Sequence, residues 1–324
     1  MKKLWLIVAL FFPILASSDS AQILRLAEMN TRQIATLDRK KTVILMPGGT
    51  MEEHGPYLPA FTDGFINEWW AERLAEEIVK RKGWTVVVYP TIPIGDGGAN
   101  EIGSKYVFPG TYGVRVKTLR ALYMDLGTEL GEQGFRWIFI LQNHGSPLHN
   151  LVLDQAGDFF HDTYGGQMVN LFGLEPAGSE KEEGAPTEFK AENGIDIHAG
   201  LSETSRILFI KPGLVDAAYT SAKPFTVTDP TKFTEMATGP EWLGYFGSPR
   251  GATAAYGAYI MNFRAGWAGK TIFSILDGAD PRQIRRYADS GMKEEADIVA
   301  GGLSYDSKVE KMEQDWIKKK GLSW

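Results

Sequence analysis

The chain has no cysteine in its 324 residues. Disulfides therefore add nothing to its stability, and a metal site would have to be built from imidazoles and carboxylates. Histidine is scarce as well, at five residues. Positive charge is in deficit: 34 Lys and Arg stand against 40 Asp and Glu, a formal net charge of -6. An acidic chain of this kind is a poor partner for nucleic acid or for an anionic membrane surface. Long apolar runs are missing beyond the first residues. There Lys2 and Lys3 precede the apolar stretch Leu4 to Leu15 and the small residues Ala16-Ser17-Ser18. A basic head, a short apolar core and a small-residue end have the form of a signal peptide, and the run falls short of the roughly 20 residues a bilayer span needs. The expectation is a signal peptide over 1–18 and one domain over 19–324. That domain is expected to be secreted or periplasmic, with no membrane association after cleavage. Loss of the two lysines takes the charge from -6 to -8.

What the chain does have is ample core material, with 44% hydrophobic residues and 9 Trp. Thr42-Val43-Ile44-Leu45-Met46, closed by Pro47-Gly48-Gly49, reads as a buried parallel strand. Similar runs predict strands at 86–89 and 137–141, with shorter candidates at 168–171 and 207–210. Ile66, Trp70, Leu74 and Ile78 recur every four residues and predict a helix over 64–82. Further helices are expected over about 114–133, from Ser248-Pro249 to about 265, and over 305–320. The segment 172–195 and much of 222–247 read as surface loops. Strands alternating with helices indicate an α/β fold of three layers, α/β/α, around a mostly parallel central sheet.

Glu52, His54, Asp63, His144 and Glu203 carry the candidate chemistry. Glu52 and His54 follow the first strand in a Gly-rich turn, and His144 directly follows the strand at 137–141. Ligands of open α/β sheets collect at the carboxyl ends of strands, so these segments can face one crevice. Imidazole and carboxylate ligands suit Zn²⁺ or Mn²⁺. Each residue also has a plain alternative. Asp63 can be the N-cap of helix 64–82, Glu52 a solvated turn residue and His144 a hydrogen-bonded loop histidine. His149 and His161 read as structural or exposed, and Gly95-Asp96-Gly97-Gly98 as a loop lining the pocket, since no P-loop Lys-Ser/Thr follows it.

The run Pro47-Gly48-Gly49-Thr50-Met51-Glu52-Glu53-His54-Gly55-Pro56-Tyr57-Leu58-Pro59, with Asp63 downstream, resembles the signature of the creatininase family. Phe108-Pro109-Gly110-Thr111, Asn143-His144-Gly145 and His198-Ala199-Gly200-Leu201-Ser202-Glu203-Thr204-Ser205 resemble further family elements in the same order. The likeness runs from about residue 40 to about 275. It implies a creatininase-like fold and a divalent metal, Zn with a possible second Zn or Mn ion. The ligands implied are Glu52, His54, Asp63 as the bridging carboxylate, and His144. Creatininase has a Glu two residues after its strand-end histidine where this chain has Ser146, so Glu203 is the expected fifth ligand. His198 matches the histidine assigned to proton transfer, and Asp196 is a candidate for orienting a histidine. The activity implied is cleavage of an amide C–N bond, in some relatives a cyclic one, by metal-activated water. The implied partners are a small-molecule amide and other copies of the chain, since relatives form hexamers. Creatinine itself fits poorly, because Gly194 stands where creatininase has an aromatic residue. The competing readings are a non-catalytic ligand-binding protein on the same fold, which the Ser146-Pro147 departure favours, and a binuclear phosphoesterase.

Overall fold

The computed structural model describes residues 22–174, 192 and 194–322. The expected signal peptide and most of the expected loop 172–195 lie outside the described residues. Five parallel strands form one sheet: β1 (Gln22–Arg25), β2 (Thr42–Pro47), β3 (Thr85–Val88), β4 (Trp137–Leu141) and β5 (Gln167–Asn170). Their spatial order is β1-β3-β2-β4-β5. The helices are α1 (Thr31–Ala35), α2 (Thr62–Ile78), α3 (Val116–Glu132), α4 (Pro147–Tyr164), α5 (Leu201–Ile210), α6 (Phe233–Thr238), α7 (Ala254–Leu276), α8 (Tyr287–Glu294) and α9 (Ala296–Lys319).

Period-two alternation along the central strands separates two cores. Val43 and Leu45 of β2, with Phe139 and Leu141 of β4, pack with Ile66, Trp70 and Leu74 of α2 and Met261 and Ile272 of α7. Ile44 and Met46, with Ile138 and Ile140, face the other way onto Leu119 and Tyr123 of α3 and Val152 and Phe160 of α4. All six residues of β2 are buried, as a parallel strand covered on both faces requires. The fold is therefore α/β with helices on both sides of the sheet. None of the described helices is long and apolar enough to cross a membrane.

Four expectations change. The segment 222–247 is not mainly surface loop: Phe225, Phe233, Trp242, Tyr245 and Phe246 are buried in the core, and α6 lies within the segment. Ile207–Ile210 is the last turn of α5 and not a strand. A four-residue apolar run has no period of its own, and here Leu201, Thr204 and Ile207 carry a helical burial pattern into it. Ser248-Pro249 does not start the long helix. Pro249–Gly251 forms a single 3₁₀ turn, and Thr253 caps α7 by accepting from the Tyr256 amide. The helix then runs on to Leu276. Asp63 is the second residue of α2, with Phe61 at the N-cap position, so its carboxylate is free for other partners.

Candidate metal centre

The strand order reverses between β2 and β4: the chain leaves β2 through α2 to β3 on one side, then returns through α3 to β4 on the other. Ligand sites of doubly wound sheets form in the crevice outside such a switch point. β2 and β4 pair up to Pro47↔Leu141, so the turns that leave them emerge side by side. The first carries Glu52 and His54, and the second carries Asn143 and His144. Asp63 enters from the first turn of α2. His198 and Glu203 come from a third segment. Ala199 there adopts a left-handed φ of 50°, a conformation that costs a non-glycine residue roughly 1 kcal/mol. This turn, just before α5 begins at Leu201, lets His198 face Glu203 in the helix's first turn, five positions on.

All six residues are buried. His144 Nδ1 lies 2.8 Å from Glu52 Oε2 and 3.6 Å from Asp63 Oδ2. His54 Nε2 lies 3.5 Å from Glu203 Oε2 and 3.9 Å from Asp63 Oδ1. His198 Nδ1 lies 3.8 Å from both Glu52 Oε1 and Glu203 Oε2. Three overlapping groups have ligand atoms close enough to share a cation: Glu52–Asp63–His144, His54–Asp63–Glu203 and Glu52–His54–His198. Asp63 belongs to the first two, one oxygen toward each.

The imidazoles test whether a cation fits. Each has one ring nitrogen against a backbone carbonyl: His54 Nδ1 on Glu52 O at 3.1 Å, His144 Nε2 on Asp96 O at 2.9 Å, and His198 Nε2 on Glu53 O at 2.7 Å. A carbonyl only accepts, so that nitrogen carries the hydrogen and the opposite one turns into the cluster. This is the orientation of ligating histidines, held through the ring nitrogen that does not ligate. Among the described residues, His54 Nε2 and Asp63 Oδ2 are buried with no hydrogen-bond partner, although buried polar atoms are nearly always satisfied. Burial opposes charge on His144 and His198, yet Glu52, Asp63, Glu53 and Glu203 more than reverse this and raise both pKa values well above the ordinary one. The cluster attracts positive charge, and its donor set suits a divalent ion.

The surrounding residues sort differently from the sequence reading. Asp196 neither orients a histidine nor sits in solvent: it accepts from the backbone amides of Leu201 and Ser202 at the start of α5, and from that of Ser248. Ser146 and Pro147 are the N-cap and first residue of α4, so the departure at this point serves the helix. Arg206 donates to Asn143 Oδ1 and Ser202 Oγ. His149 is fully buried beside His144, with Asp96 N donating to its Nδ1 at 3.2 Å. His161 lies on the last turn of α4 with Nδ1 on Gly166 O. The Gly95–Gly98 loop does line the cluster, through Asp96 O and through Ala99 N, which donates to Glu52 Oε1 at 2.6 Å. Burial, together with Glu101 and Asp306, pushes the Asp96 carboxyl up to about 8.

Two buried polar residues beside the cluster escaped the motif reading. Glu53 has one carboxylate oxygen without a partner, 3.7 Å from His198 Nε2. Asn143 donates to both Asp63 and Glu203. Both stand inside the matched runs, but nothing local showed the distant partners that give them a role. A cavity of about 510 Å³ is lined by Phe65, Trp69, Tyr89 and Lys211 and includes none of the six clustered residues. The convergence of ionisable groups marks the site better than cavity size does.

Comparison with known proteins agrees with this geometry. The creatininase family profile, described as creatinine amidohydrolase, matches residues 27–272. The mycofactocin precursor peptide peptidase of Mycolicibacterium smegmatis is 26% identical over 222 residues, covering 68% of this chain and 79% of the relative. That of Mycobacterium ulcerans is 27% identical over 255 residues, covering 76% and 90%. The creatinine amidohydrolase of Pseudomonas putida is 26% identical over 178 residues, covering 54% and 66%. Among solved structures, creatinine amidohydrolase superposes with a TM-score of 0.62 at 20% identity, over 79% of this chain and 99% of that one. A creatininase structure described with Mn gives the same TM-score, and a Zn–Zn form of a creatininase variant gives 0.60. The chain belongs to the creatininase family, hydrolases acting on amide C–N bonds.

Proposed function

We propose that the protein hydrolyses the C–N bond of a linear amide such as a peptide, at a centre holding two divalent ions, Zn²⁺ or Mn²⁺. The observation that carries this reading is the common posture of His54, His144 and His198. Each has one N–H on a backbone carbonyl and its other nitrogen turned toward shared carboxylates. Glu52, Asp63 and His144 would hold one ion, and His54, Asp63 and Glu203 the other. A divalent ion supplies an electrophile for the carbonyl oxygen and brings the pKa of a bound water down toward about 7.

The remaining work falls to the chain. His198 and Glu203 are the two members of the cluster with the most exposed side chains, at 10% and 12%, so they stand where substrate arrives. His198 keeps Nε2–H on the Glu53 carbonyl, which leaves Nδ1 as the atom that delivers a proton to the departing nitrogen. Glu52 and Glu203 beside Nδ1 favour the protonated imidazole needed for that step.

Two observations favour a peptide-like amide over creatinine. Gly194 has a φ of 143°, and a Cβ there would lie 2.5 Å from the Thr226 Cβ, so no aromatic side chain can stand at this position. The mycobacterial relatives described as peptide peptidases also align over more of this chain than the Pseudomonas creatininase does. The binding-protein alternative rested on Ser146-Pro147, whose helix-capping role now accounts for it. The residues 1–18 support a secreted or periplasmic site of action.

Purified protein loaded with Zn²⁺ or Mn²⁺ should cleave members of a peptide and amide panel and leave creatinine and an aryl phosphate intact. Turnover of the phosphate, or creatinine as the best substrate, would overturn the reading. Asp63→Ala should strip both ions. His198→Ala should keep them and lose roughly 10²–10⁴-fold in turnover, the usual contribution of a positioned proton donor. Equal metal loss in the two variants would instead make His198 a ligand.

A further inference from the structure

Asn143 and Arg206 belong to none of the three candidate ligand groups, yet together they join the carboxylates of one of them. Asn143 precedes His144 at the end of β4 and is buried. Its amide nitrogen donates in two directions, to Asp63 Oδ1 at 2.7 Å and to Glu203 Oε1 at 2.9 Å. The amide has two N–H bonds, so both contacts form at once. Its oxygen accepts from Arg206 Nη1 at 2.6 Å. Arg206 Nη2 donates to Ser202 Oγ at 2.8 Å, one turn back on α5. Arg206 is buried too, and its Nε has no partner among the described residues.

The direction of the amide matters. Turned over, Asn143 would set its oxygen against two carboxylates, acceptor against acceptor. A guanidinium has donors and no acceptor, so Arg206 admits only the orientation in which Asn143 Oδ1 faces it and the N–H bonds face Asp63 and Glu203. The guanidinium also places a permanent positive charge beside a buried cluster that contains Glu52, Glu53, Asp63 and Glu203. The reach of the network is selective. Asp63 Oδ2, the oxygen on the side of His144, takes no bond from it. Glu52 is held separately, by Ala99 N and His144. Glu203 Oε2 is fixed by Ala199 N at 2.7 Å and faces His54 at 3.5 Å, so with Oε1 on Asn143 both its oxygens are set.

We propose that Asn143 and Arg206 form a positioning clamp, which holds Asp63 and Glu203 as joint ligands of the ion in the His54–Asp63–Glu203 group. The clamp acts mainly on the affinity of that ion, because it sets Glu203 as well as Asp63, and reaches the Glu52–Asp63–His144 group only through Asp63 Oδ1. The inference rests on the two-ion reading above. Hydrogen-bond partners of metal ligands are typically worth roughly 10–100-fold in affinity.

The test is a calorimetric titration of metal-stripped protein with Zn²⁺ or Mn²⁺, paired with elemental analysis after graded chelator exposure. The native chain should show two binding steps. Arg206→Met and Asn143→Ser should weaken one step by roughly 10–100-fold and the other markedly less. Arg206→Lys should recover part of the loss, because an ammonium still donates to the Asn143 oxygen, whereas a purely structural fault would not be rescued step by step. If Arg206→Met does not fold, the smaller change Asn143→Ser carries the test. Two unchanged steps, or two steps weakened alike, overturn the clamp while the metal reading stands. A native chain that binds no ion overturns both.

Discussion

An imidazole that commits one nitrogen to a carbonyl has a single direction left in which to act, and His54, His144 and His198 all spend that direction on carboxylates. The residue types of this cluster were legible in the sequence because they stand in dense motifs: Glu52, His54 and Asp63 within one run, His198 and Glu203 within another. Asn143, Arg206 and Glu53 were not. Their roles depend on partners 60 or more positions away, such as Asn143 with Arg206 and Glu53 with His198, and no local pattern announces such a pair. Away from the centre, Asp154 offers a titration that can be followed alone. Burial raises its carboxyl to about 7, and the Arg286 guanidinium only partly opposes this. The folded state thus holds the proton more tightly than the unfolded chain. Its contribution is complete below the ordinary carboxylate pKa and is lost as pH rises through about 7. Asp154→Asn should therefore match the native protein in stability near pH 4 and exceed it above pH 8, by an amount on the order of a few kcal/mol. Denaturant unfolding at the two pH values measures this. A constant difference across the range would mean that Asp154 is already ionised when folded.

At the scale of the element, α5 decides the site. Its final turn, Ile207–Ile210, looks like strand in isolation because β-branched and aromatic residues suit either form. The helix is imposed by its start. Asp196 takes the backbone amides of Leu201 and Ser202, and its carboxylate lies so near the Cα atoms of Gly200 and Gly247 that a Cβ on either would fall about 2 Å from Oδ2. A carboxylate at a helix start satisfies unpaired N–H groups and opposes the helix dipole. Because Glu203 lies in the first turn of this helix, the cap also fixes a candidate ligand. Asp196→Ala should cost about 1–2 kcal/mol of stability, seen as a fall of a few degrees in Tm, and should lower metal content with it. An unchanged Tm would show that the amides find other partners without loss.

For the whole molecule, the switch in strand order between β2 and β4 gathers three distant segments into one crevice. The sheet's two faces are sealed by separate apolar cores, and the cluster forms at the carboxyl ends of the strands. The residues before β1 bear on where the protein works. If Lys2-Lys3 and Leu4–Leu15 act as a signal, the N-terminus of exported protein should begin between Asp19 and Gln22, by Edman sequencing or mass spectrometry. An intact Met1 on soluble cytoplasmic protein would refute export.

The sequence alone determined the α/β class, the central strands β2, β3 and β4 and the helix behind Ile66, Trp70 and Leu74, and its motifs pointed to the ionisable residues that the fold gathers, His198 among them only through the family resemblance. It could do so because strand alternation, helical period and motif spacing are local properties of the chain. Tertiary structure alone decided that 207–210 is helical, that Asp196 caps a helix and that Ser146-Pro147 starts one. It also decided that Asn143 and Arg206 tie two carboxylates together. Each of these depends on which buried donor meets which acceptor. That is set only when packing removes water and leaves every polar group to find its partner within the fold.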